Sequence, residues 1–301
     1  MQADWLDILV RFALYLDLML LFGLPLFALY ALREGERGAA KFRCYAGYAT
    51  IAAMIGLVLS AVHMVVVTKA MTGVEAYAEL GSNDFTMVMT ETAFGLACVV
   101  QMSALLAALI AGFALGHRPT SRYVALAASG AIALSSLAWA GHGAMNDGLA
   151  GVAHLLIDIA HLLAAGAWIG ALAGLMLLAR LAPVALLGRA SHGFAHIGAA
   201  IVATLVVTGS ANYWFIAGMP GIDGLMSPYG RLLLIKLALF AAMLGLAALN
   251  RYRLSPALSM ASESDGAMAV RALRRSIVIE ASLGVAVLAT VAILGVQSPE
   301  S

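Results

Sequence analysis

The chain contains a series of long apolar segments, and this pattern restricts its possible folds more than any other feature. An α-helix needs about 20 apolar residues to cross the hydrocarbon core of a bilayer. Eight segments reach that length, so the sequence predicts an all-α polytopic integral membrane protein built as a bundle of eight transmembrane helices. The segments are 5–32, 42–69, 87–115, 122–142, 152–180, 190–217, 230–250 and 273–296.

Composition excludes several other classes of protein. Hydrophobic residues make up 63% of the 301 residues and charged residues only 11%, whereas soluble domains carry about 25% charged residues. The loops are short and contain no domain boundary, which predicts a single transmembrane domain over 1–301 in contact with the lipid bilayer. The net charge of +1 gives no basis for nucleic-acid binding. The absence of a phosphate-binding glycine loop argues against an ATP-driven pump, and we expect no enzymatic activity.

The placement of basic residues predicts the orientation of the helices. Thirteen of the 17 Lys and Arg residues follow the odd-numbered segments. Cytoplasmic loops of membrane proteins carry an excess of Lys and Arg, so we expect both termini to be periplasmic. The thirteen are Arg33, Arg37, Lys41, Arg43, Arg118, Arg122, Arg180, Arg189, Arg251, Arg253, Arg271, Arg274 and Arg275.

The fifth segment carries three ionisable side chains on one helical face. His154, Asp158 and His161 are spaced by four and three residues, which aligns them over about 10 Å of helix. Such side chains at membrane depth face a protein interior, pair with one another or serve an ion pathway. This face therefore predicts a site for a metal ion, a haem or a proton. Asp158 is expected to be a ligand or, preferably, an acceptor that fixes the tautomer of a neighbouring imidazole.

Other candidate ligands are expected in the same outer half of the bundle. His63 and Met64 lie near the outer end of the second segment, and His142 closes the fourth. Imidazole suits copper, zinc, iron and nickel, whereas thioether sulfur favours Cu(I). The two cysteines, Cys44 and Cys98, form no CxxC motif. A mixture of His, Met and carboxylate ligands therefore indicates copper before zinc.

Polar residues elsewhere lead to more modest expectations. His192 and His196 begin the sixth segment and are a candidate site on the inner side, although a solvated helix start explains them equally well. Glu280 is expected to pair with a cytoplasmic arginine, and Lys236 to extend toward the membrane surface. Small residues spaced by four in the fifth segment predict close approach of a neighbouring backbone: Gly166, Gly170 and Gly174.

Several short motifs occur together along the chain. Gly141-His142 closes the fourth segment, and His161-Leu-Leu-Ala-Ala-Gly-Ala-Trp168-Ile-Gly170 lies in the fifth. Glu280 lies in the eighth, and the seventh runs from Lys236 to Asn250-Arg251-Tyr252-Arg253-Leu254-Ser255-Pro256. In these motifs and in its eight segments, the chain resembles the copper resistance protein D family of bacterial inner-membrane proteins. The resemblance implies a role in copper uptake, with a separate periplasmic copper-binding carrier protein as partner. It does not identify which histidines bind copper.

These observations favour copper-ion import across the inner membrane. Copper would bind first at His142 and His154, with His63 and Met64 as contributors, and then pass to His161, supported by Asp158, and on to His192 and His196. Two alternatives stay open at this stage. Paired histidines could instead hold haem b in an electron-transfer protein or cupric reductase, or the chain could be a copper sensor or assembly factor that binds metal without flux.

Overall fold

The structure, a computed structural model, describes residues 5–140, 148–217, 227–256 and 263–297. Within these ranges, eight α-helices have 17 or more residues. In chain order they are α1 (Trp5–Ala31), α2 (Arg43–Thr72), α3 (Ala93–Ala114), α4 (Pro119–Ser135), α5 (Gly148–Leu181), α6 (Val184–Ala217), α7 (Pro228–Leu249) and α8 (Glu263–Leu294). The connections contain a short α-helix, Ser82–Glu91, and a π-helix, Asn250–Leu254.

Seven of these helices, all but α4, are long and apolar enough to cross a membrane, judged over the described ranges. The chain is therefore a multi-pass, all-helical membrane protein. The α-helical part of α4 has only 17 residues, but a 3₁₀-helix, Ser136–Ala140, continues it. The predicted count of eight spans stays a prediction that depends on α4.

Several predicted helix boundaries are wrong, and the starts of the third and last segments are the clearest cases. The third segment was expected to begin at residue 87, but α3 begins at Ala93 because Thr92 is extended and accepts a 3.1 Å hydrogen bond from the Gly95 N–H. A threonine in this position caps a helix N-terminus. The last segment was expected to begin at residue 273, but α8 begins at Glu263. Its first residues are polar, so the apolar pattern marked only the part suited to the membrane.

α1 lies at the centre of the bundle and packs against α2, α4 and α5. Gly23 of α1 meets Gly166 and Gly170 of α5 so closely that a Cβ atom on Gly23 would lie 2.6 Å from the Gly170 Cα atom. Gly174 packs against the Phe27 ring in the same interface. The close approach predicted from the glycine spacing is confirmed, and it fixes α5 against the centre of the protein.

Hydrogen bonds hold together the end of the bundle that carries most basic residues. We call this the basic end (residues 32–43, 115–122, 180–189 and 250–256). Tyr123 Oη donates to the Phe42 carbonyl at 2.8 Å, and Tyr45 Oη donates to the Gly174 carbonyl at 2.7 Å. Arg37 donates to the Leu32 carbonyl at 3.1 Å, which satisfies an acceptor beyond the last turn of α1.

An ion pair connects two of the loops at the basic end. Arg189 donates to both carboxylate oxygens of Glu36, at 2.7 and 2.6 Å. Partial burial opposes ionisation of Glu36, but hydrogen bonds from Arg189 and the Arg33 backbone N–H, with the charges of both arginines, hold the pKa of Glu36 below its usual value. The pair links the connection after α1 to the start of α6.

α6 and α7 lie at the periphery. Both bury only a small share of their most apolar stretch within the described chain. α6 packs mainly on α5, and α7 mainly on α8. The outer surfaces of α6 and α7 are therefore available to lipid, while their inner surfaces supply side chains to the site described next.

Candidate functional site

The three ionisable residues of α5 face α6 and meet polar or aromatic partners in order. His154 stacks on Phe215 with ring centroids 4.8 Å apart. Asn212 Nδ2 donates to Asp158 Oδ1 at 3.1 Å, and His161 Nδ1 lies 2.9 Å from Thr208 Oγ1. The partner numbers fall along α6 as they rise along α5, so the two antiparallel helices keep one register through the whole face. We call these contacts the α5–α6 polar face.

The hydrogen bonds around Thr208 define which nitrogen of His161 carries a proton. Thr208 Oγ1 donates its hydrogen to the Thr204 carbonyl at 2.6 Å. The same oxygen must therefore accept from His161, which places the imidazole hydrogen on Nδ1. In the neutral ring, Nε2 then keeps a lone pair, the form in which histidine binds a metal ion. Thr208, rather than Asp158, fixes the tautomer of His161.

A basic side chain approaches this face from a third helix. Lys236 of α7 lies within electrostatic range of both Asp158 and His161. This placement corrects the expectation that Lys236 only extends toward the membrane surface. Asn212 Oδ1 is buried and has no hydrogen-bond partner among the described residues. The face thus contains a carboxyl group, an amino group, a metal-competent imidazole nitrogen and an unused amide oxygen.

His63 lies in a separate cavity beside α1. The cavity measures about 10 Å³ and is lined by Arg11, Leu14, Tyr15, His63 and Leu137. This is enough space for about one water-sized species. His63 is buried, and its Nε2 atom has no hydrogen-bond partner within the described ranges. Tyr15 lies within electrostatic range of Arg11 and also of Asp158.

The basic side chain in this cavity is neutralised locally. Arg11 Nε donates to Asp7 Oδ1 at 2.7 Å, one turn earlier on α1. Met64 points to a different neighbourhood, a small apolar cluster of Val67, Val88 and Phe94. Phe94 also meets the His63 ring edge-on, with centroids 5.5 Å apart.

The remaining predicted ligands are either distant or outside the described ranges. His192 and His196 lie near the start of α6, both exposed, with ring centroids 5.9 Å apart. His142 lies outside the described residues. Among the residues that the structure describes, no group of three His, Cys, Asp or Glu side chains is placed to hold a metal ion. The ligand set of His63, Met64, His142, His154, Asp158, His161, His192 and His196 stays a prediction.

A second polar cluster lies closer to the basic end. Asn250 Nδ2 donates to Glu280 Oε2 at 2.8 Å. Glu280 therefore bonds to an amide, and not to the cytoplasmic arginine that the sequence suggested. The Trp168 indole approaches the same carboxyl group. These residues belong to three of the motifs singled out in the sequence.

Comparison with known proteins identifies the family of the chain. Residues 1–152 match the family model described as copper resistance protein D-like, N-terminal domain, and residues 188–294 match the model described as copper resistance protein D. The chain is also 42% identical to the copper resistance protein D of Pseudomonas syringae pv. tomato, over 99% of this chain and 98% of that protein. The chain belongs to the copper resistance protein D family. No solved structure matches it.

As a member of the copper resistance protein D family, the chain has a role in copper resistance. Sequence reasoning missed Thr208, Asn212 and Lys236, which surround the α5 triad. A signal was present for the first two, because Thr208, Asn212 and Phe215 repeat the four-three spacing of His154, Asp158 and His161 in the next helix. No pattern in a single sequence could have indicated that Lys236 lies within range of Asp158.

Proposed function

We propose that this protein imports copper ions across the bacterial inner membrane through the α5–α6 polar face. The observation that carries the proposal is the hydrogen-bond chain from His161 through Thr208 to Thr204, which leaves His161 Nε2 able to bind a soft cation. Family membership indicates that the cation is copper, since it links the chain to copper resistance. The negative charge of Asp158 offsets the positive charge of Lys236. This reduces the electrostatic barrier to a cation in this region.

The proposal includes a topology. α4 and its 3₁₀ extension form the eighth span, because together they rise about 35 Å, more than the hydrocarbon thickness of about 30 Å. Both termini are then periplasmic, and the basic end faces the cytoplasm in accord with the positive-inside rule. A negative-inside potential favours inward movement of a cation by about 2.3 kcal/mol per charge per 100 mV.

The proposed route begins on the periplasmic side and runs through several weak sites. A periplasmic carrier protein delivers copper to His142 and His154, with His63 and Met64 as further contributors. The ion then passes to His161 beside Asp158 and leaves past His192 and His196. Several sites of moderate affinity permit conduction better than one tight site does. The copper ion is cargo in this scheme, and the protein is not an enzyme.

The test is copper uptake into sealed vesicles that contain the purified protein. His161→Ala should abolish uptake, and Thr208→Val should lower copper affinity by about 10- to 100-fold, the usual effect of losing a residue that orients a metal ligand. Thr204→Val is the matched control. It also removes a threonine hydroxyl group, one turn away on α6, but it leaves the Thr204 backbone carbonyl that accepts the hydrogen bond from Thr208. Its uptake should equal that of the wild type.

Three results would contradict the proposal. Wild-type uptake in both His161→Ala and Thr208→Val would remove the α5–α6 polar face from the route. Stoichiometric iron in the purified protein, with a strong visible absorption band, would instead favour the haem alternative. Copper binding without flux into the vesicles would favour a sensor or assembly factor.

A further inference from the structure

Glu280 is a buried carboxyl group that the proposed copper route does not use. The residue is 2% exposed and lies near the middle of α8. Its Oε2 atom accepts the hydrogen bond from Asn250, but its Oε1 atom has no hydrogen-bond partner within the described ranges. Leaving a buried polar atom without a hydrogen-bond partner destabilises the folded protein, so its retention requires an explanation.

The atoms around Glu280 are also incompletely satisfied. Trp168 is 2% exposed, and although its indole approaches the carboxyl group, Nε1 makes no hydrogen bond of good geometry. Asn250 Oδ1 and Ser276 Oγ, one turn from Glu280 on α8, likewise lack partners among the described residues. Unsatisfied buried polar groups are few in native proteins and call for a specific account. The unsatisfied groups around Glu280 belong to three neighbouring helices, namely α5, the π-helix and α8.

Among the described residues, Glu280 has no paired counter-charge. α8 packs against α1, α5, α7 and the π-helix, but within the described ranges no basic side chain forms an ion pair with Glu280. A carboxyl group buried without a counter-charge avoids the cost of burying that charge by holding a proton. The acidic, basic and histidine side chains described on these elements make no hydrogen bond or ion pair with Glu280: they are Asp7, Arg11, Asp17, His154, Asp158, His161, Arg180, Arg231, Lys236, Arg251 and Arg253, together with Arg271, Arg274 and Arg275 of α8 itself.

The helix that supplies Asn250 changes geometry at that residue. Asn250 is the first residue of the π-helix Asn250–Leu254, and π-helical turns occur frequently at functional sites. Arg251 donates to the Ala195 carbonyl at 3.0 Å and so attaches the π-helix to α6. The donor of Glu280 therefore lies on a segment that is joined to the helix carrying Thr208 and Asn212.

We propose that Glu280 is a proton-binding site whose occupancy is coupled to copper movement; the coupling rests on the function proposed above, while the site itself does not. In the occupied state the proton is on Oε1 and Oε2 accepts from Asn250. Release breaks the Oε1–H bond, leaves a carboxylate beside the Asn250 and Trp168 donors, and delivers the proton to water at the basic end. Carboxyl and amide oxygens suit a proton better than a soft copper ion, and the indole N–H can only donate a hydrogen bond.

Infrared spectroscopy of the full-length protein in lipid tests the site without copper. The wild type should show the carbonyl-stretch band of a protonated carboxylic acid, which shifts in deuterated water and disappears as the pH is raised. Glu280→Gln should abolish that band, and Glu280→Asp should retain an acid band at a shifted frequency. Glu91→Gln is the matched control, since it removes an exposed carboxyl group of the helix Ser82–Glu91 and should leave the band unchanged.

Vesicle uptake then tests the coupling. An imposed pH gradient should change the rate of copper uptake by the wild type, and this dependence should be lost in Glu280→Gln. An unchanged acid band in Glu280→Gln overturns the proton site even if copper is transported. A band that is lost in Glu280→Gln, in a protein that moves no copper, supports the proton site and contradicts only the proposed function. A carboxylate that stays ionised and responds to sodium instead of pH also overturns the proposal.

Discussion

Gly23→Ala should destabilise the protein, although the same substitution ordinarily strengthens a helix. The added Cβ atom would lie 2.6 Å from Gly170 Cα and would also press on the Gly166 carbonyl. Carbon atoms in contact normally lie about 3.5–4.0 Å apart, so α1 and α5 would have to separate by about 1 Å. Both neighbours are backbone atoms, and no side-chain rotation can relieve the overlap.

The expected magnitude follows from two opposing contributions. Overpacking of a core costs about 1–3 kcal/mol, and this rigid contact belongs at the upper end of that range. Replacing a helical glycine by alanine returns about 1 kcal/mol. The net loss is about 2 kcal/mol, which corresponds to a decrease of about 3 °C in Tm for a chain of this size. The measurement is thermal unfolding of the purified protein, followed by tryptophan fluorescence.

Gly245→Ala provides the control of opposite sign. Gly245 lies inside α7, and nothing lies within 4 Å of the Cβ position. Only the gain in helix propensity remains, so this variant should be more stable by about 0.5–1 kcal/mol. If Gly23→Ala raised the Tm as Gly245→Ala does, the α1–α5 contact would not be the tight interface that we describe.

Three further changes should be visible in the same unfolding assay. Tyr45→Phe removes the buried hydrogen bond to the Gly174 carbonyl and should cost about 1 kcal/mol; an unchanged Tm would show that this hydroxyl group contributes nothing. Gly73→Ala should cost about 1–2 kcal/mol, because Gly73 ends α2 with φ of 73° in open space, and Gly73→Asn should recover part of the loss. Arg189→Gln should cost no more than about 1 kcal/mol at neutral pH, since its partner Glu36 is partly exposed. Folding lowers the pKa of Glu36, so the stabilisation by the ion pair is present above the usual carboxyl pKa of about 4.3 and is lost as the pH falls through the lower folded value. The unfolding curves of the wild type and of Arg189→Gln should therefore converge in acid. A difference between them that stays constant with pH would contradict the assignment.

Hydropathy and spacing predicted the helical class and the glycine contact because both depend on single helices. The face formed by His154, Asp158 and His161 is visible in the sequence for the same reason. The partners of that face depend on which helices are neighbours and at what register, so Thr208 was missed. Glu280 shows the same limit: its place in α8 was predictable, but its amide partner lies in a π-helix that no periodicity indicated.

The two hydrogen bonds between α5 and α6 have a consequence for motion. α5 is held against α1 by backbone contact, whereas α6 lies at the periphery and buries only a small share of its most apolar stretch. Asp158–Asn212 and His161–Thr208 bridge these two parts of the protein at neighbouring levels. A displacement of α6 by one residue would break both bonds together. The carboxylate and the imidazole nitrogens would then be released for other partners in a single cooperative step, with α5 as the fixed element and α6 as the moving one.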